Sequence, residues 1–276
     1  MNIAIIGLGL MGGSLALSLK SKDFVSKIVG YDHNQEHTKT ALELQLVQEI
    51  VTLDEVKKAD VIILAIPVNG VIKAFEDLVG VDEKTTIIDL GSTKQKIVSC
   101  VPKSLRKNFV AAHPMTGTEN FGPNAAIEGL YDEKVVVLCD LEESGEHQAE
   151  VAKQIFSSLN MKQYFMRSQE HDRHAAFISH MPHAISYSIA NAVMKQENKH
   201  NILALAAGGY RSMSRLAKSS PYMWEDIFRQ NKSNLLEAIT MFEEELTQLK
   251  NAIRDDDWER VHQEMSDGNK LHDILD

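Results

Sequence analysis

The chain is poor in the residues that mark several protein classes. It holds only two cysteines, Cys100 and Cys139, among 276 residues. They lie far apart and in no C-x-x-C or zinc-ligand spacing, which excludes a disulfide framework and a cysteine-built metal site. Long apolar runs are missing too. The longest unbroken apolar strand, Val61 to Ile66, is far short of the roughly 20 residues that cross a bilayer. Positive charge is scarce: 29 Lys and Arg stand against 39 Asp and Glu, a net charge of −10. That disfavours nucleic acid and anionic membrane as partners, since both need concentrated cations. Lys103 to Lys107 is the nearest thing to a basic cluster and reads as a solvated loop. The apolar N-terminus has no preceding Lys or Arg and is interrupted by glycines, so it does not read as a secretory leader. These absences predict a cytoplasmic, reducing setting.

What is present begins at the N-terminus. Ile3 to Ile6 reads as a short buried strand, followed by Gly7-Leu8-Gly9-Leu10-Met11-Gly12 at G-x-G-x-x-G spacing. Gly7 permits a tight turn, Gly9 a close approach of backbone to a pyrophosphate, and Gly12 close packing of helix on sheet. Free N–H groups at the helix start would receive the phosphates. A second strand ends at Asp32, 20 residues beyond Gly12, where a carboxylate meets the adenosine ribose. No Arg follows it in His33-Asn34-Gln35, so the predicted cofactor is NAD.

Strand and helix patterns then alternate. Helices are predicted over 35–44, 68–78 and 146–159, and strands over 47–51, 60–66, 86–90, 108–112, 134–138 and 161–165. Ala65, Ile66 and Pro67 close an apolar strand at its carboxyl end, where sheets of this type bind ligands, and are candidates for lining the cofactor. Gly91-Ser92-Thr93-Lys94 opens another helix. Ser92 reads as an N-cap, as a residue facing the cofactor crevice, or as both. The strand ending at Ala112 delivers His113-Pro114-Met115-Thr116-Gly117-Thr118-Glu119, bringing an imidazole, hydroxyls and a carboxylate to a ligand-binding edge. From Gln169 strand patterns cease. The predicted fold is α/β: a Rossmann-type dinucleotide-binding domain over 1–167, followed by an all-helical domain over 168–276.

Within the helical part, His171 and His174 fall on one helix face and His180 and His183 on roughly the opposite one, so a straight helix cannot gather all four around a metal. No metal site is predicted. Pro182 is expected to kink this helix, turning His180 or His183 towards a cleft or leaving them as packed histidines. Arg211, Arg215 and Lys218 form a small cationic group. Leu235, Ile239, Phe242, Leu246, Leu249 and Ile253 step along one helix by fours and threes, a heptad-like seam suited to packing within a subunit or between two.

Taken together, Gly7 to Ser14, Gly91 to Lys94, His113 to Glu119, Ser179-His180-Met181-Pro182-His183, and Gly208 to Lys218 followed by Ser220-Pro221-Tyr222-Met223-Trp224 resemble the prephenate dehydrogenase family of tyrosine biosynthesis. The resemblance spans nearly the whole chain. It implies NAD-dependent oxidative decarboxylation of prephenate to 4-hydroxyphenylpyruvate. His113 then hydrogen-bonds the ring hydroxyl, and Ser92 holds His113 and that hydroxyl. Arg215 binds a substrate carboxylate, His183 lines the substrate pocket, and Glu119 with the neighbouring Thr118 stands at its entrance. It also implies a homodimer formed through the helical domain. Thr116 replaces a small residue common in the family, and Ser212 stands where some relatives carry Asp. The chain is expected to contain no fused chorismate mutase and no separate regulatory domain. Three other readings stay open: an arogenate-using enzyme, a non-catalytic NAD-sensing protein on the same fold, and a β-hydroxyacid dehydrogenase. The last would use a lysine on the first long helix after the sheet, and none occurs from Gln169 to Met194.

Overall fold

The structure, a computed structural model, describes residues 1–275. Strands and helices alternate through its first part: β1 Asn2–Ile6, α1 Leu10–Leu19, β2 Lys27–Tyr31, α2 Gln35–Glu43, β3 Glu49–Ile50, α3 Leu53–Val56, β4 Val61–Leu64, α4 Val68–Leu78, β5 Thr86–Asp89, α5 Gln95–Cys100, β6 Phe109–Pro114, β7 Val135–Cys139, α6 Glu146–Ser158 and β8 Lys162–Met166. They form one eight-stranded sheet in the order β3-β2-β1-β4-β5-β6-β7-β8. The first six strands are parallel. β7 turns antiparallel to β6, and β8 is parallel to β7.

The strand alternation explains the layering. Ile3 and Ile5 of β1 point into one apolar cluster with Leu15, Leu19 and Phe156, whereas Ala4 and Ile6 point into another with Phe75, Ile97 and Phe109. Successive side chains leave a strand on opposite faces, so a continuous apolar run such as Val61 to Leu64 serves two cores covered by helices. The predicted 47–51 strand shrinks to Glu49–Ile50, which pairs with β2 alone at the edge of the sheet. β6 instead runs beyond its predicted end to include His113 and Pro114, because these residues pair with Val137 and Val136 of the antiparallel β7.

Helices follow: α7 Ser168–Ala175, α8 Met181–Met194, α9 Lys199–Ala204, α10 Gly208–Ser214 and α11 Pro221–Gln230. Ala176–His180, between α7 and α8, is a π-helical turn, with Pro182 in the first turn of α8. A proline ring clashes with the carbonyl four residues earlier. The wider turn at this point is how the helix accommodates it.

The chain divides into two compact units, Met1 to Asn231 and the segment from Lys232 onward. Helices α7 to α11 therefore cluster with the sheet, whereas the sequence pattern placed the division at 167/168. The second unit contains α12 Lys232–Arg254, α13 Trp258–Asn269 and α14 His272–Leu275, with α12 packed on α13. Along the seam of α12, Leu235 is buried, but Leu246 and Ile253 are about half exposed.

The glycine turn leaves no room for a side chain at Gly7 or at Gly12. Gly7 has φ +95°, and a Cβ at Gly12 would lie 1.9 Å from the Gly7 carbonyl oxygen. Gly12→Ala is therefore expected to destabilise the protein by about 2 kcal/mol or more, since overpacking against backbone cannot relax. Urea unfolding checks this, and wild-type stability would contradict the turn geometry.

Candidate functional site

β1, β4, β5 and β6 are parallel neighbours, so their carboxyl ends share one edge of the sheet, and each delivers a different chemical group. At β1 the turn leads into α1, which has no side-chain cap and no acidic residue in its first turn. Its first amides are therefore open to an anion. The Asp32 carboxylate, at the end of β2, accepts from the Leu8 amide at 2.9 Å and from the Asn34 amide at 2.9 Å. It braces the turn and keeps acceptor capacity for hydroxyls. His37 Nδ1 lies 3.4 Å from Asp32 Oδ2, and His33 Nδ1 lies 3.5 Å from Oδ1.

Not every expected cofactor residue faces the crevice. Leu8 is fully buried, its side chain packed at Gly30 and its amide taken by Asp32, so it supports the turn from beneath. Leu10 and Met11 are partly buried, and the Met11 carbonyl accepts from the Tyr131 hydroxyl at 2.7 Å. Ala65 and Ile66 sit against Gly7, and Pro67 precedes α4. A dinucleotide fits this set of groups: a turn closed tightly at Gly7 and Gly12, uncapped amides at the start of α1 and a carboxylate at the end of β2.

β6 presents His113, which is buried. Its Nδ1 is 2.8 Å from His171 Nε2, and His171 Nδ1 is in turn 2.8 Å from Asp172 Oδ1. Both residues come from the first turns of α7. Asp172 also accepts the backbone amides of Lys94 at 2.7 Å and Gln95 at 3.0 Å, capping α5 across 78 and 77 residues of sequence. The cap expected from Ser92 is thus supplied from α7. Ser92 is half-buried beside it and makes no hydrogen bond to His113; among the described residues His171 holds that ring.

Below this chain lies a buried ion pair. Lys94 Nζ bonds the Asp89 carboxylate and the Ala112 carbonyl, the latter at 2.7 Å, with both side chains fully buried. Burial pushes the Asp89 carboxyl up, and the Lys94 ammonium opposes the shift. An unpaired charge here would be costly, so the pair binds the carboxyl end of β5 to β6 next to His113. Burial holds His113 well below its ordinary value, with the neighbouring His171 ring, the Lys94 ammonium and the His180 ring adding to the shift. His113 is accordingly a neutral imidazole.

His180 and His183 gather around Trp224. His183 stacks on its indole with centroids 3.5 Å apart, and His180 meets it edge-on at 5.9 Å. His183 Nδ1 is 2.9 Å from the Ser179 carbonyl. Burial lowers His183, the Ser179 carbonyl opposes, and Arg215 adds to the lowering. The segment that carries Arg215 packs against α8, which carries His183. Arg215 itself sits in a 3-10 turn, with Nη1 3.7 Å from Glu119 Oε2. A pair this long and exposed contributes little, so the guanidinium can exchange its partner for an incoming carboxylate. Thr118 Oγ1 accepts from the Asn120 amide at 3.2 Å and shapes the loop.

Sequence reasoning overlooked His171 and Asp172 as partners of His113, and it saw Trp224 only as a helix anchor. A His-Asp pair in the first turn of a helix is a weak local signal, and contacts across 58 to 78 residues are invisible in spacing. The four histidines converge on no metal: among the described residues no group of three or more His, Cys, Asp or Glu could hold one. No described helix is long and apolar enough to cross a membrane.

Comparison with known proteins covers both parts of the chain. Residues 15–165 match the family model described as the prephenate dehydrogenase nucleotide-binding domain, and residues 167–267 the one described as the prephenate dehydrogenase dimerization domain. A prephenate dehydrogenase of Bacillus subtilis (strain 168) is 32% identical over 266 residues, covering 94% of this chain and 72% of that protein. The crystal structure of the Aquifex aeolicus prephenate dehydrogenase in complex with hydroxyphenyl propionate and NAD+ superposes with a TM-score of 0.93 at 30% identity, covering 100% of this chain and 98% of that one. The Synechocystis arogenate dehydrogenase superposes with a TM-score of 0.83 at 26% identity and full coverage of both chains.

The buried imidazoles make stability depend on pH. Burial takes His180 down to about 4, with Asp172 opposing, and His113 shifts in the same direction. In the unfolded chain both titrate near about 6.5. The unfolded state therefore takes up protons first, and stability is lost as pH falls from about 6.5 towards 4. The thermal midpoint should fall across that window, and His180→Leu should flatten the slope. A midpoint independent of pH there would contradict neutral buried imidazoles.

Proposed function

Because the chain belongs to the prephenate dehydrogenase family and is an NAD-dependent dehydrogenase, we propose that its substrate is prephenate, oxidised and decarboxylated to 4-hydroxyphenylpyruvate in the cytoplasm. The observation that carries this reading is the neutral, buried His113, presented at the carboxyl end of β6 and held from behind by His171. Oxidation of a ring hydroxyl needs an acceptor for the hydroxyl proton. Loss of the ring carboxylate then follows because the product is aromatic. The glycine turn and Asp32 would hold NAD, which would supply the hydride acceptor.

This chain's residues take the other roles. Neutral His113 accepts the hydroxyl hydrogen bond and the proton. Ser92, at the end of β5, lies at the same edge as a further polar contact. Arg215 takes a substrate carboxylate in place of Glu119, with the fork geometry suited to it. His183 and Trp224 form a flat wall for the ring, and Glu119 with Thr118 borders the entrance. The similarity to an arogenate dehydrogenase keeps a second substrate in view, one with an amine where prephenate has a keto group.

The assay is reduced-cofactor formation with each substrate side by side. Prephenate should turn over with the higher kcat/KM, and preference for arogenate would replace the proposal. His113→Asn should lower turnover by about 10² to 10⁴, the scale of positioned acid–base help. Wild-type turnover should rise with pH through an ionisation below about 6.5, because His113 is active only when unprotonated and burial favours that form. A fully active Asn variant would remove His113 from the mechanism.

Assembly is proposed as a homodimer through the helical region, supported by the dimerization-domain match and by the apolar surface that α12 leaves exposed. Leu246→Glu and Phe242→Glu should shift the protein to monomer in light scattering, since a buried unpaired charge is costly. A wild-type protein that is monomeric at micromolar concentration would overturn this.

A further inference from the structure

The chain of hydrogen bonds behind His113 has a direction. Asp172 is a buried carboxylate already accepting two backbone amides, at 2.7 and 3.0 Å, and it stands 2.8 Å from His171 Nδ1. An ionised carboxylate only accepts, so the His171 proton on that side sits on Nδ1. With its single proton on that side, His171 offers a lone pair at Nε2, which lies 2.8 Å from His113 Nδ1. Two neutral imidazoles share a single proton between their facing nitrogens, and the proton of His171 is already directed at Asp172. The shared proton then belongs to His113 Nδ1, which donates it to His171 and leaves its own Nε2 unprotonated.

We propose that His171, oriented by Asp172, is a positioning residue that locks His113 in the tautomer whose Nε2 is a hydrogen-bond acceptor facing the crevice. The inference deepens the reaction proposed above and rests on it for its kinetic consequence, though the tautomer itself does not. With the opposite tautomer, Nε2 would be a donor and could not take the hydroxyl proton. When that proton arrives at Nε2, His113 becomes a cation whose Nδ1–H points at the His171 lone pair, with the Asp172 carboxylate behind it. The stabilisation therefore grows as charge develops, which is the condition for accelerating the step. The other groups set the opposing balance. Burial and then the Lys94 ammonium disfavour a permanent cation at His113, and Asp89 is occupied by Lys94. Asn231 fixes the far side by donating to the Asp172 carbonyl at 2.6 Å, and its Nδ2 is 3.1 Å from His180 Nδ1.

The decisive experiment is long-range ¹H–¹⁵N correlation on wild-type protein labelled at histidine, with the His113 signals assigned by their loss in His113→Asn. At neutral pH Nδ1 should show the shift of a protonated nitrogen and Nε2 that of an unprotonated one; the reverse pattern would overturn the proposal. Kinetics supply the second readout. His171→Leu removes the acceptor and should lower kcat by about 100-fold, while KM and NAD binding change little. His171→Gln, whose side-chain carbonyl can accept from Nδ1, should recover part of that loss. Unchanged kcat in a folded His171→Leu protein would equally overturn it. Should wild-type protein fail to oxidise prephenate, the functional reading falls, while the nitrogen shifts still decide the tautomer.

Discussion

One carboxylate ties the helices after the sheet to the chemistry at its edge. Asp172 accepts two amides at the start of α5 and meets His171 Nδ1, and its own carbonyl receives Asn231. Without these contacts α7 would have no polar reason to sit over the ends of β5 and β6, and His113 would have no partner. Buried carboxylates are tolerated only when their lone pairs are used. Here that requirement fixes where a helix docks and which way an imidazole faces.

The same logic operates one layer down. Lys94 and Asp89 are a fully buried pair. A hydrophobic replacement of both would often be no less stable, so cohesion alone does not account for them. Their effect on the site is electrostatic. A fixed ammonium near His113 helps keep the imidazole neutral, and a neutral imidazole can accept a proton. The exposed Arg215–Glu119 pair behaves differently. At 3.7 Å and open to solvent it contributes little stability, which leaves Arg215 available to a carboxylate arriving from outside. Buried pairs set the state of the base, and an exposed one leaves a binding cation free to change partners.

The π-turn at Ala176–His180 joins the two halves of the site. On a straight helix His171 and His183 would lie on unrelated faces. With the wide turn, His171 reaches His113 while His180 and His183 reach Trp224. Such turns are associated with functional sites because they shift the phase of the side chains that follow. Pro182 is the sequence mark of this one.

Much of the first half was legible because its determinants are local. A glycine turn between strand and helix, a carboxylate 20 residues on, and apolar runs of strand length each follow from backbone sterics and side-chain alternation, and each stands where expected in the sheet. His113 was legible as a candidate for the same reason, since a strand end can be read from its apolar run. The state of His113 was not. It depends on His171 and Asp172, which lie 58 and 59 residues away in sequence, and on Lys94, named beforehand only within the Gly91 to Lys94 segment that opens a helix. Leu8 shows the converse limit, because motif position marked it for the cofactor while packing at Gly30 turned it inward. Sequence by itself determined the strand–turn–helix unit, the helical character of the second half and the residue types at the site, because propensity, periodicity and spacing act over a few residues. Tertiary structure alone decided which imidazole meets which, what caps α5 and which charges are buried, because hydrogen bonds and desolvation depend on distance in space.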